Sequence, residues 1–134
     1  RPPPRTTLSD DRRQRQMCIR DSYPRDLINT VNKAKTIRGA KYLHVYSVCP
    51  TGWRSAPERS IQLGKLAVET GLFPLYEVEN GQYRLTKKMS KIKPLDEYLK
   101  LQGRFRHLTE DLRKEIQERT NQEYANLLKK TEQS

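Results

Sequence analysis

Long hydrophobic runs are missing from this 134-residue chain: no apolar stretch approaches the ~20 residues of a bilayer-spanning helix, which excludes a helical transmembrane role. The beginning of the chain is polar and basic with no apolar centre, so no secretory signal is expected. Cysteine is scarce. Cys18 and Cys49 stand far apart and make no disulfide framework, which favours a reducing compartment. Histidine is limited to His44 and His107, and with Cys49 these have no zinc-ligand spacing. There is no internal repeat and no glycine-rich loop of the cofactor-binding kind. With 34% hydrophobic residues, 32% charged residues and a mean hydropathy of −0.98, the chain can bury only a small core. Its length suits one modest domain or part of a larger one, and a first residue of Arg rather than Met points to a part.

Positive charge, by contrast, is plentiful: 27 Lys and Arg against 16 Asp and Glu leave a net charge of +11. Residues 1–22 carry six Arg and three Asp, and the remaining residues hold a surplus of +8. Such a surplus invites an acidic partner or a nucleic acid. The basic residues are nevertheless dispersed, densest at Lys87, Lys88, Lys91 and Lys93, and no nucleic-acid motif accompanies them. A solvated basic loop is the better reading, and a small nucleic-acid-binding module is the remote alternative.

Three segments differ in character. Residues 1–22 begin with Pro2, Pro3 and Pro4, offer almost no apolar face, and end in MCIRDS, which resembles translated sequencing-adaptor read-through. This segment is expected to be a non-native or disordered leader without function. Residues 23–86 read as α/β. Pro24, Asp26 and Gly39 bracket a helix whose Leu27, Ile28, Val31 and Ala34 form one stripe. Tyr42–Tyr46 has the composition of a strand covered on both faces, as in a parallel sheet. Ser55 and Glu58 have capping-box spacing before a helix that buries Ile61, Leu63, Leu66, Ala67 and Val68 and ends at Gly71. Phe73–Val78 and Tyr83–Leu85 flank Asn80-Gly81, a pair that predicts a tight hairpin. Residues 87–134 hold a basic linker and a helical extension. Pro94 opens a short helix through Leu95, Tyr98 and Leu99 with Gly103 as its stop, and Thr109 caps a last helix carrying Leu112, Ile116, Tyr124, Leu127 and Leu128 on one side.

Cys49 is the sharpest chemical candidate, because it stands at the carboxyl end of the expected strand, where open α/β sheets bind ligands. Its thiolate could serve as nucleophile or metal ligand, and a buried inert cysteine is the plain alternative. A base is available only from His44 or His107, and strand alternation turns His44 across the sheet. An iron–sulfur cluster commonly takes four thiolates, so any such site needs residues from outside this chain.

The stretch Tyr42-Leu43-His44-Val45-Tyr46-Ser47-Val48-Cys49-Pro50-Thr51-Gly52-Trp53-Arg54 resembles the beta subunits of 2-oxoacid:ferredoxin oxidoreductases, the pyruvate-using members in particular. The resemblance continues in order through Leu66–Glu77 and Lys93–Leu108, and residues 1–22 match nothing in the family. It implies the C-terminal part of a thiamine-diphosphate-binding sheet domain, followed by a β-hairpin and C-terminal helices. It also implies oxidative decarboxylation of pyruvate to acetyl-CoA and CO2, with electrons passing to ferredoxin; a branched 2-oxoacid such as 2-oxoisovalerate is the alternative substrate. The implied cofactors are thiamine diphosphate with Mg2+ and a 4Fe-4S cluster, and the implied partners are alpha-, gamma- and delta-type subunits, ferredoxin and coenzyme A. Carried over by position, Cys49 becomes the fourth ligand of the cluster, the other three lying in the half of the subunit not present here. Thr51 and Gly52 could donate backbone N–H groups to the sulfur. Trp53 and Arg54 would shape the surroundings or meet coenzyme A, although a packed tryptophan and a solvated arginine are the simpler assignment. His107 is expected to hydrogen-bond locally, and Arg104 and Arg106 to face solvent or an acidic partner. The 134 residues alone are expected to be inactive.

Overall fold

The computed structural model describes residues 23–133; the leader segment and Cys18 lie outside the described residues. Helix α1, Pro24–Thr36, starts on a proline whose fixed φ suits the first turn, with Asp26 at its positive end and Lys33 and Lys35 at its negative end. Its apolar stripe is only half-covered: no residue of α1 is buried and Ile28 is 56% exposed.

The expected strand does not form. Residues 40–49 belong to no regular element, and Tyr42, Leu43 and Val45 are exposed. A strand exists through its neighbours' hydrogen bonds, and the described residues supply no parallel partner. Val48 is the one buried residue of the stretch, and Tyr46 is partly buried against the core.

A single helical turn follows, α2, Pro50–Trp53, and then a 3-10 turn, Pro57–Arg59, leading into α3, Ser60–Glu69. The capping box also fails. Ala56 is the residue that enters the 3-10 turn, no side chain caps it, and Ser55 Oγ is buried without a hydrogen-bond partner. Pro57 sets the turn one residue later than the Ser55–Glu58 spacing requires. Helix α3 buries Leu63, Leu66, Ala67 and Val68 as expected, whereas Ile61 faces outward.

The hairpin is antiparallel, β1 Tyr76–Glu79 against β2 Gln82–Leu85, with Tyr76 opposite Leu85 and Glu79 opposite Gln82. Asn80 and Gly81 both take positive φ, 52° and 81°, the conformation whose twist matches the flanking strands. Helix α4, Leu95–Lys100, has its first amide held by Gln117 Oε1 at 2.6 Å. It ends before Gly103, which instead opens a 3-10 turn, Gly103–Phe105. Thr109 Oγ1 accepts the Leu112 N–H at the start of α5, Glu110–Glu132, as its residue type predicts. Helix α5 packs on α4 and β2 and buries Thr120, Tyr124 and Leu127, while Leu112 is exposed.

The core is small and lies where α3 meets α4: Val48, Leu63, Leu66, Ala67, Leu95, Tyr98 and Leu99, flanked by Tyr46, Trp53, Phe73 and Phe105. Residues before and after position 87 therefore share one core. The observed architecture is helical with a two-stranded antiparallel hairpin, and it agrees with an α/β piece.

A charge cluster ties α1 to the hairpin. Glu77 accepts from Arg84 at 2.7 Å, from Lys33 at 3.0 Å and from Thr30 at 3.2 Å. The Arg84 guanidinium, ahead of Lys33 and Thr30, holds the Glu77 carboxyl below the usual glutamate range. A depressed folded-state pKa contributes stability that is full above the unfolded value of about 4.3 and is lost as pH falls through the folded value. Urea midpoints measured from pH 6 downward should therefore fall on the acid side, and Glu77→Gln should flatten that limb. Identical acid limbs in the two proteins would remove Glu77 from the account.

Candidate functional site

Cys49 enters α2 at its N-terminal cap with an extended backbone, φ −115° and ψ 93°, and its side chain is exposed. The thiol is not buried. Pro50 occupies the first position of the turn, where its missing N–H costs nothing. The turn closes when the Trp53 N–H donates to the Cys49 carbonyl at 2.9 Å. The amides of Thr51 and Gly52 precede that bond and have no carbonyl within the turn to receive them. Both residues are exposed beside Cys49. A Cβ at position 52 would stand 3.2 Å from Cys49 Sγ, so glycine leaves open the space next to the sulfur.

Behind this turn lies a wall of aromatic rings. Tyr46 packs at 5.7 Å from Trp53 and 5.1 Å from Phe73, ring centre to ring centre, and His44 meets Phe73 edge-on at 5.1 Å. His44 therefore serves as a packing ring. The Tyr46 and Tyr98 hydroxyls share a hydrogen bond, and burial, with that bond second, pushes the Tyr46 phenol well above its ordinary range. His107 and Arg106 are exposed. No group of three or more His, Cys, Asp or Glu able to hold a metal exists among the described residues. Cys49 thus stands as a single donor with two amides near it.

Trp53 is partly buried against the core, in keeping with a packing role. Arg104 departs from the expectation of a solvent-facing side chain: its guanidinium lies over the Trp53 ring at 4.1 Å and over Phe105 at 4.5 Å. Arg54 takes a left-handed backbone, φ 53°, and its carbonyl accepts the Gly103 N–H at 3.0 Å. Gln102, missed by the sequence reading, is 2% exposed, and it links Arg104 to the Tyr98 carbonyl. A polar residue just past a helix end carries no periodicity, so nothing in the sequence marked it.

No family model matches the chain. Among curated proteins it is 54% identical over 94 residues to pyruvate synthase subunit PorB of Methanocaldococcus jannaschii, covering 70% of this chain and 31% of that one. Against pyruvate synthase subunit PorB of Methanothermobacter marburgensis the identity is 48% over 97 residues, 72% of this chain and 34% of the relative. Against ketoisovalerate oxidoreductase subunit VorB of Pyrococcus furiosus it is 40% over 113 residues, 83% of this chain and 36% of the relative. The chain thus spans about a third of the length of these relatives. On identity of this extent, it belongs to the family of 2-oxoacid oxidoreductase subunits that includes PorB and VorB.

Proposed function

We propose that the chain is part of the beta subunit of a pyruvate:ferredoxin oxidoreductase. That enzyme converts pyruvate and coenzyme A to acetyl-CoA and CO2 and passes the electrons one at a time to ferredoxin. The identity to PorB subunits carries this reading, and the exposed Cys49 at the head of its turn accords with it. In this reading the protein works in the cytoplasm beside alpha-, gamma- and delta-type subunits. No helix among the described residues is long and apolar enough to cross a membrane. Residues 23–86 then complete a thiamine-diphosphate-binding domain and residues 87–134 form its helical extension.

Cys49 fits one position of a 4Fe-4S cluster. Its sulfur is exposed, the missing Cβ at Gly52 leaves room beside it, and the turn's first amides suit negatively charged sulfur. Residues 23–133 hold no other cysteine, so three further thiolates must come from outside them, and no residue here is assigned to thiamine diphosphate or Mg2+. When bound, the cluster supplies one-electron transfer. The chain's own part is to hold one ligand. Tyr46, Trp53 and Phe73 back the turn with apolar surface, which lowers the local dielectric and so bears on reduction potential.

Substrate choice is tested by assaying the complete protein with coenzyme A, ferredoxin and either pyruvate or 2-oxoisovalerate. Pyruvate is expected to give the larger kcat/KM. A larger value for 2-oxoisovalerate would establish the second reading, which the VorB identity favours, and turnover with neither would overturn both.

A further inference from the structure

We propose that Gln102, Gly103 and Arg104 are positioning residues for Cys49: they clasp the far end of its turn and fix the direction in which the sulfur faces. The purpose of this clasp rests on the reading of Cys49 as a ligand, although its geometry does not. Three contacts make it. The Gly103 N–H donates to the Arg54 carbonyl at 3.0 Å. A Cβ on Gly103 would come within 2.9 Å of Arg54 Cβ and 3.0 Å of Arg54 O, so the two backbones approach only because position 103 has no side chain. The Arg104 guanidinium lies over the Trp53 ring at 4.1 Å, and its Nε donates to Gln102 Oε1 at 2.9 Å.

Gln102 gives this contact a rigid base. It is 2% exposed, and its amide nitrogen donates at 3.0 Å to the carbonyl of Tyr98, itself a core residue. A path of direct contacts therefore runs from the core through Tyr98, Gln102 and Arg104 to Trp53, whose N–H ends on the Cys49 carbonyl at 2.9 Å. The turn itself resists bending. Pro50 has a locked φ, the Arg54 N–H donates to Thr51 O at 3.3 Å, and the Ser55 N–H donates to Pro50 O at 3.0 Å. A turn so closed moves as one body, so a displacement at Trp53 or Arg54 is transmitted to Cys49.

The test uses the 134-residue chain carrying Cys18→Ser, with two readouts: alkylation of Cys49 by iodoacetamide and emission from Trp53, the sole tryptophan. Arg104→Ala and Gly103→Ala should change the alkylation rate by about threefold or more and shift the Trp53 emission to longer wavelength, because thiol reactivity follows its surroundings. Arg104→Lys, which keeps the cation but loses the Nε fork to Gln102, should fall between. Gly81→Ala, at a left-handed turn position far along the chain, should lower the urea midpoint and leave the Cys49 rate unchanged. Equal Cys49 rates in parent, Arg104→Ala and Gly103→Ala would overturn the proposal, as would an equal response to Gly81→Ala. Should Gly103→Ala fail to fold, hydrogen exchange in the parent decides: a Gly103 amide exchanging as fast as an unstructured one also overturns it. None of these readouts requires a cluster, so failure of the ligand reading leaves them intact and is detected separately by iron content in Cys49→Ser.

Discussion

Replacing Cys49 by serine in the complete subunit is expected to leave the protein folded and to strip it of most of its cluster iron. The first half follows from exposure. Among the described residues Cys49 is exposed and its side chain fills no part of the core, so in the cluster-free protein the substitution should alter stability by no more than about 0.5 kcal/mol. The second half follows from donor chemistry. Clusters of this type are held by four thiolates, and a serine hydroxyl is a harder and far less acidic donor. Iron and sulfide per subunit, read beside a thermal melt, separate the two effects. Unchanged iron would show that the fourth ligand lies elsewhere and would remove the site assignment. Lost iron with a melt that matches the cluster-free parent would establish Cys49 as a ligand, because the only stability lost is then that of the cluster itself. The neighbouring Gly52→Ala offers a milder test of the same geometry, since its Cβ would press on Sγ at 3.2 Å without removing the donor.

Leu63→Ala should produce the largest loss of stability in the described residues. Leu63 is fully buried at the centre of a seven-residue cluster that also contains Val48, Leu66, Ala67, Leu95, Tyr98 and Leu99. Truncating a buried leucine costs about 2–5 kcal/mol, and a small domain holds only about 5–15 in total. The urea midpoint should fall by roughly 1–2.5 M, taking a mid-range slope of about 2 kcal/mol per molar. Ile61→Ala, two positions earlier in the same helix but 37% exposed, is the control and should cost much less. Equal losses would mean that α3 does not pack on α4 as described. The consequence reaches the site, because Val48 belongs to this cluster and immediately precedes Cys49. A weakened core should therefore raise Cys49 reactivity as well as lower the midpoint.

Local rules settled much of this molecule. Pro24 opened α1, Asn80-Gly81 made the hairpin turn, Thr109 capped α5, and the spacing of Leu63, Leu66 and Ala67 marked the buried side of α3. Each depends on interactions within a few residues, which a sequence displays directly. Tertiary context decided the rest. Tyr42–Tyr46 has strand composition yet remains unpaired, because strand formation needs a neighbouring strand that composition cannot supply. Ser55 and Glu58 have the right spacing for a capping box, but Pro57 begins a 3-10 turn first.

The candidate site divides in the same way. Cys49, Thr51 and Gly52 stood out in sequence because a cysteine followed by Pro and Gly forms an abrupt turn, and the family resemblance gave that cysteine a role. Its exposure, and the clasp of Gln102, Gly103 and Arg104 upon it, depend on contacts spanning about 50 residues of chain. By itself the sequence determined the Asn80-Gly81 turn, the Thr109 cap, the apolar stripe of α3 and the family. Only the tertiary structure decided which side of the Cys49 turn is held and by what, because close approach of distant backbone follows from packing and leaves no periodic trace in the chain.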